Sequence, residues 1–597
     1  MKKIVLLAMV TYFLISPFSY HPDTKLTLRY PALEKGTVWD IYGYIDSHQL
    51  DIPDFHYPPA HYWWLKVHYP ISKLVGGHNF DKWLSTGSDQ ASFDLNILKY
   101  NLAAKFPLLM LGLLSGFLIY LIVKRETNHI GAAKKAALFW YFNPISLYSL
   151  VIMGQNDIVA IFIFLLGIFF YKNWLLSAVL WGLASGIKSY PIIWSIIFIA
   201  AYEKNIKKFI LKIVSVIAVY GIILLPWLDK DYFVKSVLNS GLSQRLFIAN
   251  IPIGFEKQIL IVPLLLVVVI LKNWSDKNKS TVSKSSLAII QSCLIILGFS
   301  HFNPQWMLWT IPFLSIWIYS MKITKKVFLS LMVIFFSWII LVLGFNDKYL
   351  TWGMFTPLNP GLINFPTLIE FLNNKGIDFS PFINLSQSAL AGVAIWYVIR
   401  KNKIKKFKDN NLVDKNWIIL IPWLLIILFI VGITNIRVQN KSNSKTKNLE
   451  ISLSEAVGKQ WVYDIPHSLK YFEISLNNAG LNSQDKGILL VSDNNNNSFE
   501  KEFSGFNAGV NSWLRVDIPE NMFRSNILYL EIKDIDVKDA LLKLQIDDHQ
   551  RWAINLYNTA KPSSKEWIGK ILSFWWWWMI PLTVSVLFIK NKVKSDD

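Results

Sequence analysis

Two aspartates lie in an aromatic-rich stretch near the start of the chain. Asp40 and Asp46 flank Tyr44, and His56 and Tyr57 follow a few residues later. A carboxylate held among aromatic side chains can act as a general base that takes the proton from an attacking hydroxyl group. The alternative is an ordinary solvated acid in a loop. Asp40 and Asp46 are therefore candidate bases, and Tyr44, His56 and Tyr57 are candidate substrate contacts.

A second set of polar residues lies in short turns between apolar segments. Gln155, Asn156 and Asp157 share one turn, and Lys188 lies in another. A lysine such as Lys188, in a turn at the membrane surface, needs an anionic partner. Alternatively, a lysine at a helix end can simply extend its side chain to the membrane interface. Asn156 and Asp157 could bind a ligand or could cap the helix that follows them. The sequence alone leaves both alternatives open.

Three further residues complete the candidate site. His301 and Asn303 lie in a third polar turn, and Arg245 lies in a polar segment between two apolar runs. His301 and Asn303 could bind hydroxyl or phosphate groups, and guanidinium pairs with phosphate through two parallel hydrogen bonds. A satisfied interfacial histidine and a solvated loop arginine are the alternatives.

One stretch of the chain could hold a metal ion. His48 and His56 could form a divalent-metal site together with Asp40, although no metal or other cofactor is required by the pattern. Cys293 is the only cysteine and lies in an apolar run, so the sequence predicts no disulfide framework and no thiolate metal site.

The composition is that of a membrane protein. The chain has 597 residues, of which 53% are hydrophobic and 15% aromatic, and a formal net charge of +20. Its Lys and Arg residues fall in short runs between apolar segments, which is the pattern of cytoplasmic membrane loops rather than of a nucleic-acid-binding surface. We therefore expect the lipid bilayer as a partner and no nucleic acid.

Apolar runs predict about fourteen membrane spans, since a spanning helix needs roughly 20 mainly apolar residues and fewer when neighbours shield it. The predicted spans are 4–19, 104–123, 133–150, 158–171, 174–188, 190–201, 209–227, 259–272, 287–299, 307–321, 327–345, 383–399, 417–434 and 568–589. Basic residues collect in alternate connections, which places both termini inside and all the polar turns outside. The first span could instead be a cleaved signal peptide.

Three extracytoplasmic regions follow from this topology, at residues 20–103, 346–382 and 440–566. The third contains period-two segments at 459–465, 471–476, 487–492, 513–518, 527–532 and 541–546, which predict short strands of a β-sandwich. The predicted organisation is a transmembrane catalytic region over residues 1–435, an extracytoplasmic β-sandwich over 440–566, and a final transmembrane helix with a basic cytoplasmic tail over 568–597.

The ordered motifs resemble a known class of enzyme. An aspartate after the first span is followed by His-Tyr-Pro-Pro at 56–59, Gly-Gln-Asn-Asp at 154–157, Gly-Ile-Lys-Ser-Tyr-Pro at 186–191 and His-Phe-Asn-Pro-Gln at 301–305. This order and common sidedness are similar to the GT-C class of integral membrane glycosyltransferases, most of all to its mannosyltransferase-like branch that uses polyprenyl-phosphate sugars. The resemblance covers about residues 1–400 and leaves the β-sandwich outside.

The resemblance implies roles for the candidate residues. Asp40 is expected to be the catalytic base, with Asp46 as its substitute, and Lys188 followed by Arg245 is expected to bind the donor phosphate. The expected substrate-binding residues are Tyr44, His56, Tyr57, Gln155, Asn156, Asp157, His301 and Asn303.

The implied function is transfer of a single hexose, with mannose the first candidate, from a polyprenyl-phosphate donor to a glycan, lipid or protein acceptor outside the cell membrane, with inversion. The class contains both metal-dependent and metal-independent members, so the resemblance leaves a divalent metal open as a cofactor.

Two other classes remain open. A lipid-linked-sugar flippase or other secondary transporter also needs many spans, but it places ionisable groups near the membrane midplane. Here the predicted spans carry almost no charge and the polar residues gather at one face. A binding or assembly protein that displays the β-sandwich would leave the polar turns unexplained.

Overall fold

The computed structural model describes residues 1–400 and 439–559. Within these ranges it excludes residues 49–54, 87–90, 93, 95, 241–243, 277–280, 302, 322–323, 359–361, 363–366, 374, 444–445, 465–468, 479–484, 494–496, 505–511, 519–526, 538–541 and 548–553. The predicted spans 417–434 and 568–589 and the basic tail lie outside the described residues.

Helices dominate the first 400 residues. The described α-helices of six or more residues are α1 (Lys2–Ile15), α2 (Pro22–Ala32), α3 (Ile41–His48), α4 (Pro59–Gly76), α5 (Phe80–Ser85), α6 (Ile97–Thr127), α7 (Ile130–Phe142), α8 (Asp157–Phe169), α9 (Trp174–Ile187), α10 (Pro191–Tyr202), α11 (Ile206–Leu224), α12 (Ile261–Ser275), α13 (Val282–Phe299), α14 (Ile311–Ser320), α15 (Lys325–Leu343), α16 (Leu368–Asn373) and α17 (Ser380–Ile399).

Five of these helical segments are long and apolar enough to cross a membrane, namely those that contain α6, α11, α13, α15 and α17. A sixth span results if α1 and α2, bent by 87° at their junction, are counted as one. Each of the first twelve predicted spans coincides with a helical segment, but α8, α9, α10 and α12 have only 12 to 15 residues. The helical class is confirmed within the described residues, whereas the count of about fourteen is not.

The helices differ in how deeply they are buried. The most apolar part of α13 is 89% buried inside the protein, whereas that of α11 is only 11% buried. Because both are strongly apolar, α13 lies at the centre of the bundle and α11 turns its apolar surface outward, toward the expected lipid.

The region after the first helix, predicted as a loop over residues 20–103, is largely helical. It contains α2, α3, α4 and α5, and α4 alone spans 18 residues. Pro59 begins α4, where its missing N–H costs nothing, and Gly77 at φ +81° ends it.

A buried lysine ties the bend between α1 and α2 to the turn that precedes α8. The Nζ of Lys105 on α6 donates to the carbonyl oxygens of Ser16 at 3.1 Å and Ser19 at 2.7 Å, and also to that of Ile152. Ile152 ends a π-helical segment, Leu147–Ile152. Helix ends leave carbonyl oxygens without intrahelical partners, and Lys105 satisfies several of them at once.

Twelve strands are described. They are β1 (Asn250–Gly254), β2 (Lys257–Leu260), β3 (Gln439–Asn443), β4 (Thr446–Ser452), β5 (Gln460–Asp464), β6 (Leu469–Asn478), β7 (Lys486–Asp493), β8 (Ser498–Ser504), β9 (Ser512–Asp517), β10 (Ile527–Asp536), β11 (Leu542–Asp547) and β12 (Ile554–Thr559).

Strands β3 to β12 form two antiparallel sheets. One has the order β5-β10-β7-β8, and the other has the order β3-β12-β6-β11-β4, with β9 paired to β6. Each of the six segments with period-two patterning overlaps a strand in the described residues. Buried side chains from both sheets, among them Trp461, Leu530, Phe472 and Val516, form one apolar cluster. Alternation of side chains between the two faces of a strand explains why the pattern was visible in the sequence.

Candidate active site

Asp40 lies directly before α3 and is partly exposed. Its Oδ1 accepts a hydrogen bond from the N–H of Gly43 at 2.7 Å, and its Oδ2 lies 3.8 Å from the Nζ of Lys230. A Cβ on residue 43 would approach Asp40 Oδ2 to 2.4 Å, so a larger residue there would displace the carboxylate. The side chain of Asp40 is 44% exposed. One carboxylate oxygen is thus held by the backbone while the other faces a cation and solvent.

The backbone that leads to Asp40 is held by α4. Tyr62 donates to the carbonyl oxygen of Val38 at 2.8 Å, and Lys66 donates to the same oxygen at 3.0 Å while its Nζ lies 4.6 Å from the centre of the Trp39 ring. Burial raises the pKa of Tyr62, and the negative charge of Asp40 raises it further. Tyr62 is therefore a neutral hydroxyl donor near the carboxylate.

Asp46, at the other end of α3, has a different environment. It is exposed, and its Oδ2 accepts the backbone N–H of Tyr232 at 3.3 Å. Tyr44 donates to a carboxylate oxygen of Glu34 at 2.9 Å and stacks on His48 with ring centres 4.1 Å apart. The Tyr44 side chain therefore contacts Glu34 and His48, while the Tyr44 backbone N–H donates to the carbonyl oxygen of Asp40 at 3.0 Å.

Asp157 and Lys188 form a buried ion pair. The Nζ of Lys188 lies 3.7 Å from Asp157 Oδ2, and Trp309 Nε1 donates to Asp157 Oδ1 at 2.8 Å. The exposed fractions of the two side chains are 17% for Lys188 and 3% for Asp157. The anionic partner expected for Lys188 is therefore present within the protein, and both oxygens of Asp157 are occupied.

Tyr57 connects this pair to the surroundings of Asp40. Lys188 Nζ lies 4.1 Å from the centre of the Tyr57 ring, and that ring stacks on His61 at 4.1 Å. The carbonyl oxygen of Tyr57 accepts a hydrogen bond from Tyr42 at 2.5 Å. The pKa of Tyr42 is raised by burial and, among smaller causes, by Asp40. The Phe55 ring contacts the rings of both Tyr57 and Tyr42, so a row of aromatic side chains runs from Lys188 to Tyr42.

His61 is buried and neutral. Burial, followed by the positive charge of Lys188, lowers the pKa of His61 well below its usual range. The histidine therefore adds no charge beside Lys188. The His-Tyr-Pro-Pro motif at 56–59 includes His56 but not His61, so the sequence did not single out His61. The Nδ1 of His56 lies 3.1 Å from the carbonyl oxygen of Ser236.

Gln155 and Asn156 contact α2. The Nε2 of Gln155 lies 3.5 Å from Asp23 Oδ2, and the Nδ2 of Asn156 donates to Thr27 Oγ1 at 3.2 Å. Asn156 stands at the N-terminal cap of α8, but its side chain makes no capping hydrogen bond. Its buried Oδ1 has no hydrogen-bond partner among the described residues. The helix-capping interpretation is therefore wrong for Asn156.

Arg245 and His301 lie close together. Burial and the positive charge of Arg245 lower the pKa of His301. The guanidinium carbon of Arg245 lies 5.9 Å from the centre of the Trp306 ring, and its Nη1 is buried without a hydrogen-bond partner within the described part of the chain. Asn303 precedes the 3₁₀ helix Pro304–Trp309, and its carbonyl oxygen accepts the N–H of Trp306 at 2.9 Å.

Two tryptophans join this turn to the buried ion pair. Trp306 stacks on Trp309 with ring centres 5.1 Å apart, and Trp309 holds Asp157. Trp309 also stacks on Tyr190 at 4.0 Å. The second and third polar turns are therefore brought together through aromatic side chains, although their charged groups are not in direct contact.

The residues considered as metal ligands do not converge. His48 Nδ1 lies 2.9 Å from the carbonyl oxygen of Tyr44, and His56 contacts Ser236. Among the described residues, no group of three or more His, Cys, Asp or Glu side chains is placed to hold a metal ion. Asp40, His48 and His56 therefore do not form the metal site that their spacing allowed.

Lys230 was missed by sequence reasoning. It lies between Asp229 and Asp231, a charged run typical of a solvated loop, and Asp40 lies within 3.8 Å of its Nζ. The only available signal was its position just after an apolar segment, on the side predicted to face outward.

Comparison with known proteins supports the enzyme class. Residues 95–296, about a third of the chain, match the profile of glycosyltransferase family 87. The match includes the turn at Gln155–Asp157, Lys188 and Arg245, and it is consistent with a GT-C-like membrane glycosyltransferase. The family indicates glycosyltransferase activity, and the apolar helices indicate an integral membrane protein. No curated protein matches the chain.

Proposed function

We propose that the protein transfers a single hexose, with mannose the first candidate, from a polyprenyl-phosphate donor to an acceptor hydroxyl on the extracytoplasmic side of the membrane. The reaction inverts the anomeric configuration, and Asp40 is the general base. The acceptor is a glycan, a lipid or a protein.

The different environments of the candidate aspartates support Asp40 as the base. Each aspartate has a lysine near one oxygen, at 3.8 Å for Asp40 and 3.7 Å for Asp157, but the Asp40 side chain is 44% exposed and that of Asp157 only 3%. Asp46 is exposed, and its Oδ2 accepts the backbone N–H of Tyr232. A base needs an oxygen that can reach the proton of the acceptor, and Asp40 meets this condition best.

The proposed step is a single displacement. The acceptor oxygen forms a bond to the anomeric carbon while the bond from that carbon to the phosphate oxygen breaks. The proton of the acceptor hydroxyl goes to Asp40, and the bonding electron pair leaves with the polyprenyl phosphate. Attack opposite the leaving group inverts the configuration at that carbon.

The leaving phosphate needs positive charge, and the contacts favour Arg245 over Lys188. Lys188 is already paired with a buried carboxylate at 3.7 Å, whereas Arg245 has a buried Nη1 without a partner among the described residues. An unsatisfied buried donor is costly unless a ligand completes it. We therefore assign the donor phosphate to Arg245, and we assign to Lys188 the role of holding Asp157 and Tyr57 in place.

The remaining contacts fit sugar binding. Tyr57 offers an aromatic ring, and Gln155 and Asn156 offer amide groups. The Oδ1 of Asn156, which has no hydrogen-bond partner among the described residues, can accept a hydrogen bond from a sugar hydroxyl. His301 and Asn303 lie beside Arg245 and are proposed to contact the sugar or its phosphate. Tyr44 and His56 have other partners and are weaker candidates.

The topology and the domain organisation are part of the same proposal. We place the transmembrane catalytic region at 1–435, with Asp40 and the polar turns outside. The two sheets are proposed to form an extracytoplasmic β-sandwich over 440–566, followed by a final span and cytoplasmic tail at 568–597. Reporter fusions at residues 50, 155, 302 and 500 should read outside, and fusions at 128, 278 and 404 should read inside.

Product analysis tests the proposal. Purified protein in lipid is incubated with a panel of radiolabelled polyprenyl-phosphate hexoses and a mixture of membrane acceptors, and the products are separated and identified. We expect label in an acceptor with one donor and release of unlabelled polyprenyl phosphate. Movement of intact donor across the bilayer without bond cleavage would instead identify a flippase.

A further inference from the structure

The β-hairpin formed by β1 and β2 projects from the protein. Its two strands pair antiparallel, with Asn250 opposite Leu260 and Ile251 opposite Ile259. Every residue of β1 is exposed, and so is every residue of β2 except the last. Side chains alternate between the two faces of a strand, so neither face of this hairpin packs on the described protein.

The exposed side chains of the hairpin are mainly apolar. Ile251 is 51% exposed, Ile253 57% and Phe255, at the tip, 97%. An isolated two-stranded hairpin is marginal in water, and contiguous apolar surface of this kind marks an interaction site. Glu256 and Lys257, which have opposite charges, follow Phe255.

The backbone at the tip supports a role for the phenylalanine itself. Gly254, Phe255 and Glu256 have φ angles of +91°, +51° and +60°. The left-handed region favours Gly or Asn and is unusual for a bulky residue. Phe255 is therefore kept at a position that local conformation disfavours, which is how strain marks functional positions.

The position of the hairpin brings it to the membrane. Strand β2 runs directly into α12, and the N–H of Ile261 donates to the carbonyl oxygen of Ala249 at 2.9 Å, which fixes the hairpin base to the helix start. Leu264, Val267 and Leu271 on α12 are exposed apolar side chains. A helix of an integral membrane protein with such a surface faces lipid, so the hairpin begins at the end of a lipid-facing helix.

We propose that this hairpin is a membrane anchor that inserts Phe255 and its isoleucine neighbours into the interface between lipid headgroups and acyl chains. Exposure of both faces, the apolar side chains, and continuity with a lipid-facing helix all fit a bilayer. A strand of five residues reaches about 16 Å from its base, enough to span the headgroup region. The short helix Arg245–Phe247 ends shortly before β1, so the anchor also fixes the position of Arg245 relative to the membrane surface. This last consequence rests on the proposed function, whereas the anchor does not.

Site-directed spin labelling tests the anchor independently of activity. Cys293 is the chain's only cysteine, so a Cys293→Ala background allows a single label at Ile253→Cys, with Phe255 intact. The protein is reconstituted in nanodiscs of phosphatidylcholine with a minority of phosphatidylglycerol. Relaxation of the label by oxygen and by a water-soluble nickel chelate then reports its depth. Ile222→Cys on α11, 66% exposed, is the lipid reference, and Lys501→Cys on β8 is the water reference.

We expect oxygen to relax the label at residue 253 more than the nickel chelate does, at a depth of about 5–10 Å. Adding Phe255→Asn should move the same label toward water without lowering thermal stability, because Asn tolerates a left-handed backbone. Nickel accessibility equal to that at residue 501 would overturn the proposal. A label that neither reagent reaches would also overturn it, because the hairpin would then be covered by protein, for instance by a second copy.

Discussion

Removal of the Lys188 ammonium tests how the buried ion pair is held. At 3.7 Å the attraction between Lys188 and Asp157 is about 4.5 kcal/mol with an effective dielectric constant of about 20. Lys188→Met would leave a buried carboxylate without its cation but with the Trp309 hydrogen bond. Breaking one partner of such a pair costs about 3–5 kcal/mol, and we expect the lower end because Trp309 remains.

A double-mutant cycle separates this loss from general damage. In Asp157→Asn/Lys188→Met, the amide can still accept the Trp309 hydrogen bond and no charge is left unpaired. The double variant should therefore be more stable than the sum of the single losses predicts, by about 2 kcal/mol. The free energy of unfolding is measured by denaturant titration of each variant in one detergent, with the slopes compared.

Lys230→Met is the matched control. Lys230 also faces an aspartate, at 3.8 Å, but both side chains are a third or more exposed, so its removal should cost about 1 kcal/mol or less. The reasoning is refuted if Lys188→Met costs no more than Lys230→Met and the two changes at 157 and 188 are additive. Lys188 would then be free to bind the donor phosphate, as the sequence first indicated.

Three further outcomes are expected. Arg245→Gln should weaken donor binding about 10- to 100-fold, because a charge-assisted contact of about 1.5–3 kcal/mol is lost, while Arg29→Gln, outside the proposed site, should leave donor affinity unchanged. Burial lowers the pKa of His68 from 6.5 to about 4, so as the pH falls this histidine is protonated in the unfolded chain before it is protonated in the folded protein. Keeping His68 neutral is therefore worth about 3 kcal/mol of folding stability, which is fully present above pH 6.5 and is lost as the pH falls toward 4. Denaturant titrations of His68→Gln should lack this part of the pH dependence. Deleting residues 445–562 while keeping the predicted flanking spans should leave transfer to a simple acceptor measurable, and complete loss in a well-inserted protein would place part of the site in the sheets.

Hydropathy and strand alternation predicted the positions of many elements but not the number of spans. Apolar runs marked the helices correctly, yet four helices of 12 to 15 residues are too short to be assigned as spans by length. Whether these four helices cross the membrane depends on how neighbouring helices shield them from lipid. Helix α4 was missed because several polar side chains, including the buried His61 and His68, interrupt its apolar pattern.

The charged contacts could be predicted only in part. Sequence topology put Asp157 and Lys188 at the same side of the membrane, but their pairing depends on how α8 and α9 pack. Lys105 was counted within an apolar span, and its carbonyl partners exist only because α1 breaks and residues 147–152 form a π-helix. Lys230 is separated from Asp40 by 190 positions, and no local pattern joins them.

The central claim is that Asp40 takes the acceptor proton during sugar transfer. Asp40→Asn keeps the shape of the side chain and its hydrogen bond from Gly43 but loses basicity. Turnover and donor affinity should be measured separately for this variant and for the control Asp46→Asn. We predict that Asp40→Asn lowers turnover by about 10²-fold or more with donor affinity unchanged, while Asp46→Asn stays close to the native protein. Near-native turnover in Asp40→Asn would contradict the account.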